Sequence, residues 1–213
     1  MIKILLTAFE PFGKDVENAA AIVCQQIPAQ GTYHQIEKRI LPTEFTAGAQ
    51  ALMAAMDEVM PEMVICLGQA GGRKDVTPER VAVNLMDAPI PDNAGFMPDE
   101  VEIIPGGPTA YLTNMPIKAV VQHAKEAGYP VQVSNSAGLY VCNDIFYTLM
   151  NRIAYTPANE ATLAIWGDFI HIPYLAEQQG IPEGMPILPV AQVVETVNVL
   201  IEKLVEKKLA LQL

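Results

Sequence analysis

A three-layer α/β/α fold around a largely parallel, mixed sheet is what this sequence predicts, on three observations. Short apolar runs of strand type, such as residues 2–7 and 62–67, alternate along the chain with longer stretches of helical periodicity. No internal repeat, linker or low-complexity tract interrupts that alternation. The 213 residues, 51% of them apolar and 17% charged, fit one domain over 1–213 with a sizeable buried core.

Composition also excludes function classes. A formal net charge of −11 argues against nucleic acid or anionic membrane, since both demand clustered cations. No apolar stretch reaches the ~18 residues of a membrane span. The N-terminal run lacks the length and cleavage pattern of a signal peptide and reads better as a first strand. Cys24, Cys66 and Cys142 include no C-x-x-C pair, and His34, His123 and His171 no H-x-x-x-H pair. That pattern suits a reducing cytoplasm and speaks against a disulfide framework and a metal site.

In chain order, a buried strand at 2–7 leads into a turn at 8–13 that carries Phe9 and Phe12. Asn18 can cap a helix running to Gln26. Alternation predicts a half-exposed strand at 33–41, with His34 at the surface. An alanine- and methionine-rich helix at 44–60 stops at Pro61, with Met53, Met56 and Met60 as core filler. The strand at 62–67 runs directly into Gly68-Gln69-Ala70-Gly71-Gly72-Arg73, a ligand-bearing position in α/β proteins that matches no phosphate-loop or dinucleotide spacing.

Residues 77–87 alternate as one strand with Val81, Val83 and Leu85 on the apolar face. Glu79 shares their parity, so a carboxylate stands at the end of that face and needs a partner. Residues 88–114, with five prolines and no convincing helix or strand, form a long ordered loop, a substrate lid or a subunit contact. A helix at 116–127 stops at Gly128, a short strand covers 130–134, and a helix starts at Cys142 and runs to Ile153. A strand at 161–172 holds His171, and an amphipathic helix closes the chain at 190–209.

The chemistry centres on S-N-S-A-G-L-Y-V-C-N-D, residues 134–144. Strand, tight turn and helix start there in succession, and a helix N-terminus favours a thiolate and lowers a cysteine pKa. Cys142 also falls on the helical stripe of Ile145, Phe146, Leu149 and Ile153, so inert core packing and a reactive thiol both fit the spacing. Cys24 and Cys66 sit inside elements and read as core. His171 shares the parity of Phe169 near a strand end, where a structural histidine and a general base are both compatible with its position. Asp168 points to the other face, which makes Glu79 the better group to orient an imidazole.

Several motifs, T-A-F-E-P-F-G, G-Q-A-G-G-R, E-R-V-A-V-N, I-P-D-N, S-N-S-A-G-L-Y-V-C-N and F-I-H-I-P, occur in an order that resembles the pyroglutamyl peptidase I family across nearly the whole chain. The resemblance implies a cytoplasmic, metal-free and cofactor-free cysteine peptidase, a homo-oligomer (tetramer or dimer), acting on peptides with an N-terminal pyroglutamyl residue. It implies a Glu79–Cys142–His171 triad, with Phe9, Phe12, Asn18, Gln69, Ile90, Tyr140 and Val141 around the lactam ring.

One departure stands out. The family usually reads D-A-R-I-P-D-N, and this chain has Pro89 at the arginine position. Loss of that charge beside the reacting carbonyl would cost on the order of 10²-fold in rate if it acts in the transition state. Arg73 and Arg80 are the neighbouring cations that could replace it, Arg80 with the wrong parity. Ala8 and Lys14 stand where the family has glycine. The alternatives are therefore a related cysteine amidase with altered specificity or slow turnover, and a non-catalytic homologue.

Overall fold

The computed structural model of the protein describes residues 1–156 and 165–211. In chain order its elements are β1 (Ile2–Phe9), α1 (Ala19–Gln26), β2 (His34–Leu41), α2 (Ala47–Val59), β3 (Met63–Gln69), β4 (Thr77–Pro78), β5 (Val81–Val83), β6 (Ala110–Leu112), α3 (Ile117–Glu126), α4 (Val141–Tyr155), β7 (Trp166–Ile172), β8 (Tyr174–Leu175), β9 (Ile187–Leu188) and α5 (Val190–Leu209). The main sheet runs β2-β1-β3-β7-β4, parallel except for β4 at the edge. This is the predicted α/β class.

Strand parity divides the core into two layers. Ile4, Leu6, Ile65, Leu67, Ile170 and Ile172 meet α1, α3 and α5, whereas Leu5, Phe9, Val64, Cys66 and Phe169 meet α2 and α4. Central strands buried on both faces read as continuous apolar runs, which is why 2–7 and 62–67 were legible as strands. At ~25 cal/mol per Å² of apolar surface removed from water, these two layers are the main stabilising term.

Several local expectations shift. His34 is only 1% exposed, not superficial. Its strand parity turns it inward with Ile36, and Gly31 lies so close over the imidazole that a Cβ there would sit 2.1 Å from its Cε1. Met56 is core, but Met60 takes a left-handed conformation at the C-cap of α2 and is 73% exposed. Residues 130–134 form no strand of their own; Val131 and Ser134 make single bridges to Val76 and Glu79. The 161–164 part of the expected last strand lies outside the described residues; its remainder is β7.

Residues 77–87 do not form one strand. The chain leaves the main sheet after Glu79, and β5 pairs instead with β6, a strand inside the 88–114 segment. Beyond Glu79 the buried residues are Ala82, Asn84 and Met86, the parity opposite to Val81, Val83 and Leu85. The cause is Asn143 on α4, whose side-chain amide binds the Val83 N–H and the Val83 and Leu85 carbonyls at 2.9–3.0 Å and draws that face inward. The 88–114 segment is fastened throughout: Asn84 exchanges two hydrogen bonds with Ile104, and the Tyr147 hydroxyl donates to the Pro108 carbonyl. Among the described residues no helix is long and apolar enough to cross a membrane.

Asp168 sits mid-β7 with no exposed surface, and neither carboxyl oxygen meets a partner within hydrogen-bond geometry. Burial pushes its pKa well above the usual carboxylate range, and the nearby Phe169 N–H and Thr113 hydroxyl offset only part of that. The native state therefore keeps a proton that the unfolded chain releases above about pH 4, so stability falls as pH rises from there toward the raised native value. Asp168→Asn removes this dependence. It should raise Tm at pH 8 by roughly 2–4 °C, the shift about 1 kcal/mol produces at this size, and scanning calorimetry at pH 4 should show little difference.

Candidate active site

The carboxyl ends of β1, β3 and β7 meet the N-terminus of α4 at one edge of the sheet, the usual ligand position in parallel α/β folds. β3 and β7 pair Gly68 with His171 in register. The side chain of Cys142, second residue of α4, comes down onto this pair: a Cβ on Gly68 would lie 3.1 Å from the Cys142 sulfur and 2.7 Å from the Phe169 ring. A side chain at 68 would collide with the Phe169 ring and crowd the thiol, so glycine is what the packing at this strand end requires.

His171 is buried, its ring 4.8 Å from that of Phe169 between centroids. Its Nδ1 lies 2.8 Å from Glu79 Oε1, which leaves Nε2 as the nitrogen able to work toward the cavity. Glu79 is wholly buried, and its N–H donates to the Phe169 carbonyl at 2.8 Å. Thus the partner that a carboxylate at this position needed is His171, together with Arg73, whose Nη1 reaches the same oxygen at 2.8 Å.

A cavity of about 130 Å³ opens here, lined by Phe9, Phe12, Asn18, Thr43, Gln69, Ala137, Tyr140, Val141, Cys142 and His171. Sites for drug-sized ligands hold roughly 300–1,000 Å³, so this one takes a single small group. Its aromatic wall is continuous: Phe12 and Phe45 both pack on Tyr140, at 5.9 and 5.3 Å between centroids. Asn18 caps α1 by accepting from the Ala20 N–H and donates to the Glu10 carbonyl. Gln69 lines the cavity with its side-chain polar atoms already occupied, accepting from Ala19 N–H and Gln178 Nε2 and donating to Asp15.

Of the sequence-predicted site residues, nine line this cavity or, as Glu79 does, hold a residue that lines it. Ile90 does not; it is 43% exposed and lies outside the lining. The segment around it acts through its neighbours. The Pro91 carbonyl accepts from the Tyr140 hydroxyl, Asp92 takes the Phe45, Ala94 and Phe96 N–H groups, and Asn93 donates to the Pro11 carbonyl. I-P-D-N is thus a brace for both aromatic walls. Sequence reasoning missed Thr43, Ala137 and the role of Asn143 and Asp144, buried polar residues in the first turn of a helix. Asp144 accepts from the Thr46 N–H, anchoring α2 to α4, and polar residues inside an apolar first turn were the available signal.

The electrostatics reverse one expectation. A helix N-terminus contributes ~0.3–2 kcal/mol, about one pKa unit. Burial, with the Glu79 charge adding to it and the Arg73 charge opposing it, pushes the Cys142 thiol up to about 12. At rest the site holds a thiol. Burial lowers the His171 pKa, while the Glu79 hydrogen bond and charge pull it up and Arg73 pushes it down. A neutral imidazole that lines the same cavity as a thiol is chemically able to accept a proton from it. Among the described residues no cluster of His, Cys, Asp and Glu could hold a metal ion.

The model of the pyroglutamyl peptidase family matches residues 2–207. The pyrrolidone-carboxylate peptidase of Bacillus cytotoxicus is 41% identical over 203 residues, 95% of this chain and 92% of that protein. The Yersinia pestis protein of the same name is 46% identical over 187 residues, 87% and 85% of the two chains. Among solved structures, pyroglutamyl peptidase I of Bacillus amyloliquefaciens superimposes with a TM-score of 0.87 at 39% identity, covering 97% of this chain and 98% of its own. A mutant pyrrolidone carboxyl peptidase of Pyrococcus furiosus superimposes at 0.88 with 34% identity, covering 97% and 99%.

Proposed function

Because the chain belongs to the pyroglutamyl peptidase family, we propose that it releases N-terminal pyroglutamate from peptides through Cys142, served by His171 and Glu79. The observation that carries this reading is that the sulfur, the imidazole and two phenylalanines line one cavity of about 130 Å³, with Glu79 on the imidazole Nδ1. His171 takes the thiol proton through Nε2 as sulfur attacks the carbonyl that joins pyroglutamate to the next residue. The tetrahedral oxyanion meets the Val141 and Cys142 N–H groups, first-turn donors with no helical acceptor. Asn143 and Asp144 N–H are unavailable, because both already bind the Tyr140 carbonyl. His171 then protonates the leaving amine, and water, deprotonated by the same nitrogen, hydrolyses the acyl-enzyme.

The lactam is uncharged, so Phe9, Phe12 and Tyr140 supply an apolar slot, with the Gln69 backbone offering polar groups at its edge. Release of a chromogenic amine from a pyroglutamyl amide, against prolyl and alanyl amides, tests this. Turnover should be confined to the pyroglutamyl compound. Equal turnover of the prolyl amide would favour the broader amidase reading.

Pro89 favours slow turnover. It is exposed on a bend, and neither neighbouring cation replaces the family arginine: Arg73 is committed to Glu79, Thr77 and Ser136, and Arg80 is exposed and lines a different cavity. Pro89→Arg should raise kcat, by up to about 10²-fold if the charge reaches the oxyanion. Wild type inactive and Pro89→Arg active would instead make the natural chain a non-peptidase.

The free thiol chemistry supports a reducing, cytoplasmic setting. Phe96, Met97, Val101 and Leu112 are large apolar side chains exposed on or beside the 88–114 segment, which supports a homo-oligomer assembled there. Sedimentation should show a dimer or tetramer; a monomer at micromolar concentration counts against it.

A further inference from the structure

We propose that Arg73 is a positioning residue of this reaction, holding the Glu79 carboxylate toward His171 and tying it to the turn that leads to Cys142. The inference rests on the Cys142–His171–Glu79 reading above and extends it to a residue that reading does not use.

The Arg73 guanidinium bridges three points. Its Nη1 meets Glu79 Oε1 at 2.8 Å and donates to the Thr77 hydroxyl, and its Nη2 donates to the Ser136 carbonyl at 2.9 Å. Thr77 is the register partner of His171 across β4 and β7, and Ser136 precedes Ala137 of the cavity wall. One planar fork therefore fixes the carboxylate, the strand beside the imidazole and the turn before the nucleophile. Arg73 is absent from the cavity lining, so its action runs through Glu79.

Glu79 Oε1 carries both Arg73 and His171, while Oε2 is buried without a partner. Arg73 thus supplies the positive charge that a neutral imidazole cannot. Without it, a buried carboxylate faces only His171, and the least costly repair is to protonate that ring. A protonated His171 cannot take the Cys142 proton. The charged and titratable groups facing His171 are Glu79 beyond β4, Arg73 from the β3–β4 loop and Cys142 from α4; Asp168 lies on the opposite face of β7. Glu79 draws the His171 pKa up and Arg73 draws it down, so variants at the two positions should move the pH profile in opposite directions.

The experiment measures pH profiles of kcat/KM on a pyroglutamyl amide, and of Cys142 alkylation by iodoacetamide, in Arg73→Gln, Arg73→Lys and Glu79→Gln. Arg73→Gln should lower kcat by about 10–100-fold near neutrality, with KM within about threefold, and move the acid limb up by roughly one pH unit. Glu79→Gln should move it down, and Arg73→Lys should return it to the wild-type position. An Arg73→Gln limb that stays put or moves down overturns the proposal. Should that variant not fold, Arg73→Lys carries the test: it keeps the charge and loses the fork, so a kcat equal to wild type overturns the positioning role. Alkylation needs no substrate, which separates two failures. Peptidase activity surviving in Cys142→Ser removes the role of the thiol, whereas an alkylation profile indifferent to Arg73 removes only the role of Arg73.

Discussion

Cys142→Ser should lower kcat on a pyroglutamyl amide by roughly 10⁴-fold or more, as loss of a nucleophile does in other acyl-transfer enzymes, while Tm moves little. The size of the effect follows from the surroundings of the sulfur. Its thiol is pushed up to about 12 at rest, so in the proposed mechanism reactivity depends on handing the proton to His171 during attack. A serine hydroxyl there has a still higher pKa and poorer intrinsic nucleophilicity. Cys24 and Cys66 cannot substitute. They are 1% and 0% exposed and line no part of the cavity, whereas Cys142 does; burial pushes all three thiols up, so access and not acidity separates them. Iodoacetamide should therefore modify Cys142 first at neutral pH, and peptide mapping would show it. Equal labelling of all three would contradict a cavity-facing sulfur.

His171→Ala should cost about 10³-fold in kcat/KM, within the usual range for a general acid–base group. The pH profile carries the sharper information. A base must be unprotonated, and burial holds the His171 pKa below its ordinary 6.5 against the pull of Glu79. Wild-type kcat/KM should persist as pH falls below 6.5, with its acid limb on the acidic side of an ordinary histidine. In His171→Ala that limb should vanish along with most of the rate. A variant that keeps the wild-type limb would assign the titration to another group.

Much of this was legible because it depends on local period. Two-sided burial made β1 and β3 read as apolar runs, and Asn18 announced the start of α1 through its capping chemistry. Parity placed Glu79 and His171 on usable faces. It failed two residues after Glu79, because nothing in Val81-Ala82-Val83 reveals that Asn143, sixty positions later, will bind that backbone. His34 was misread for a similar reason: alternation alone cannot show that a glycine will close over one histidine and bury it. Cys142 was ambiguous in the sequence and is ambiguous physically, belonging both to the helix stripe and to the cavity. The resting protonation state was not legible at all, since desolvation is a property of the assembled site.

The brace formed by Pro91, Asp92 and Asn93 makes the cavity and the long segment one thermodynamic unit. Tyr140, Phe45 and the Pro11 backbone are all fastened to it, so releasing that segment loosens both aromatic walls of the cavity together. A ligand seated against Tyr140 must then slow amide exchange at Phe45 and Phe96, whose N–H groups it never touches, because binding free energy is added to the opening of the whole unit. Occupancy of the cavity and the local stability of the proline-rich segment are thereby linked: whatever free energy a ligand gains from the braced walls is added to the cost of opening the segment.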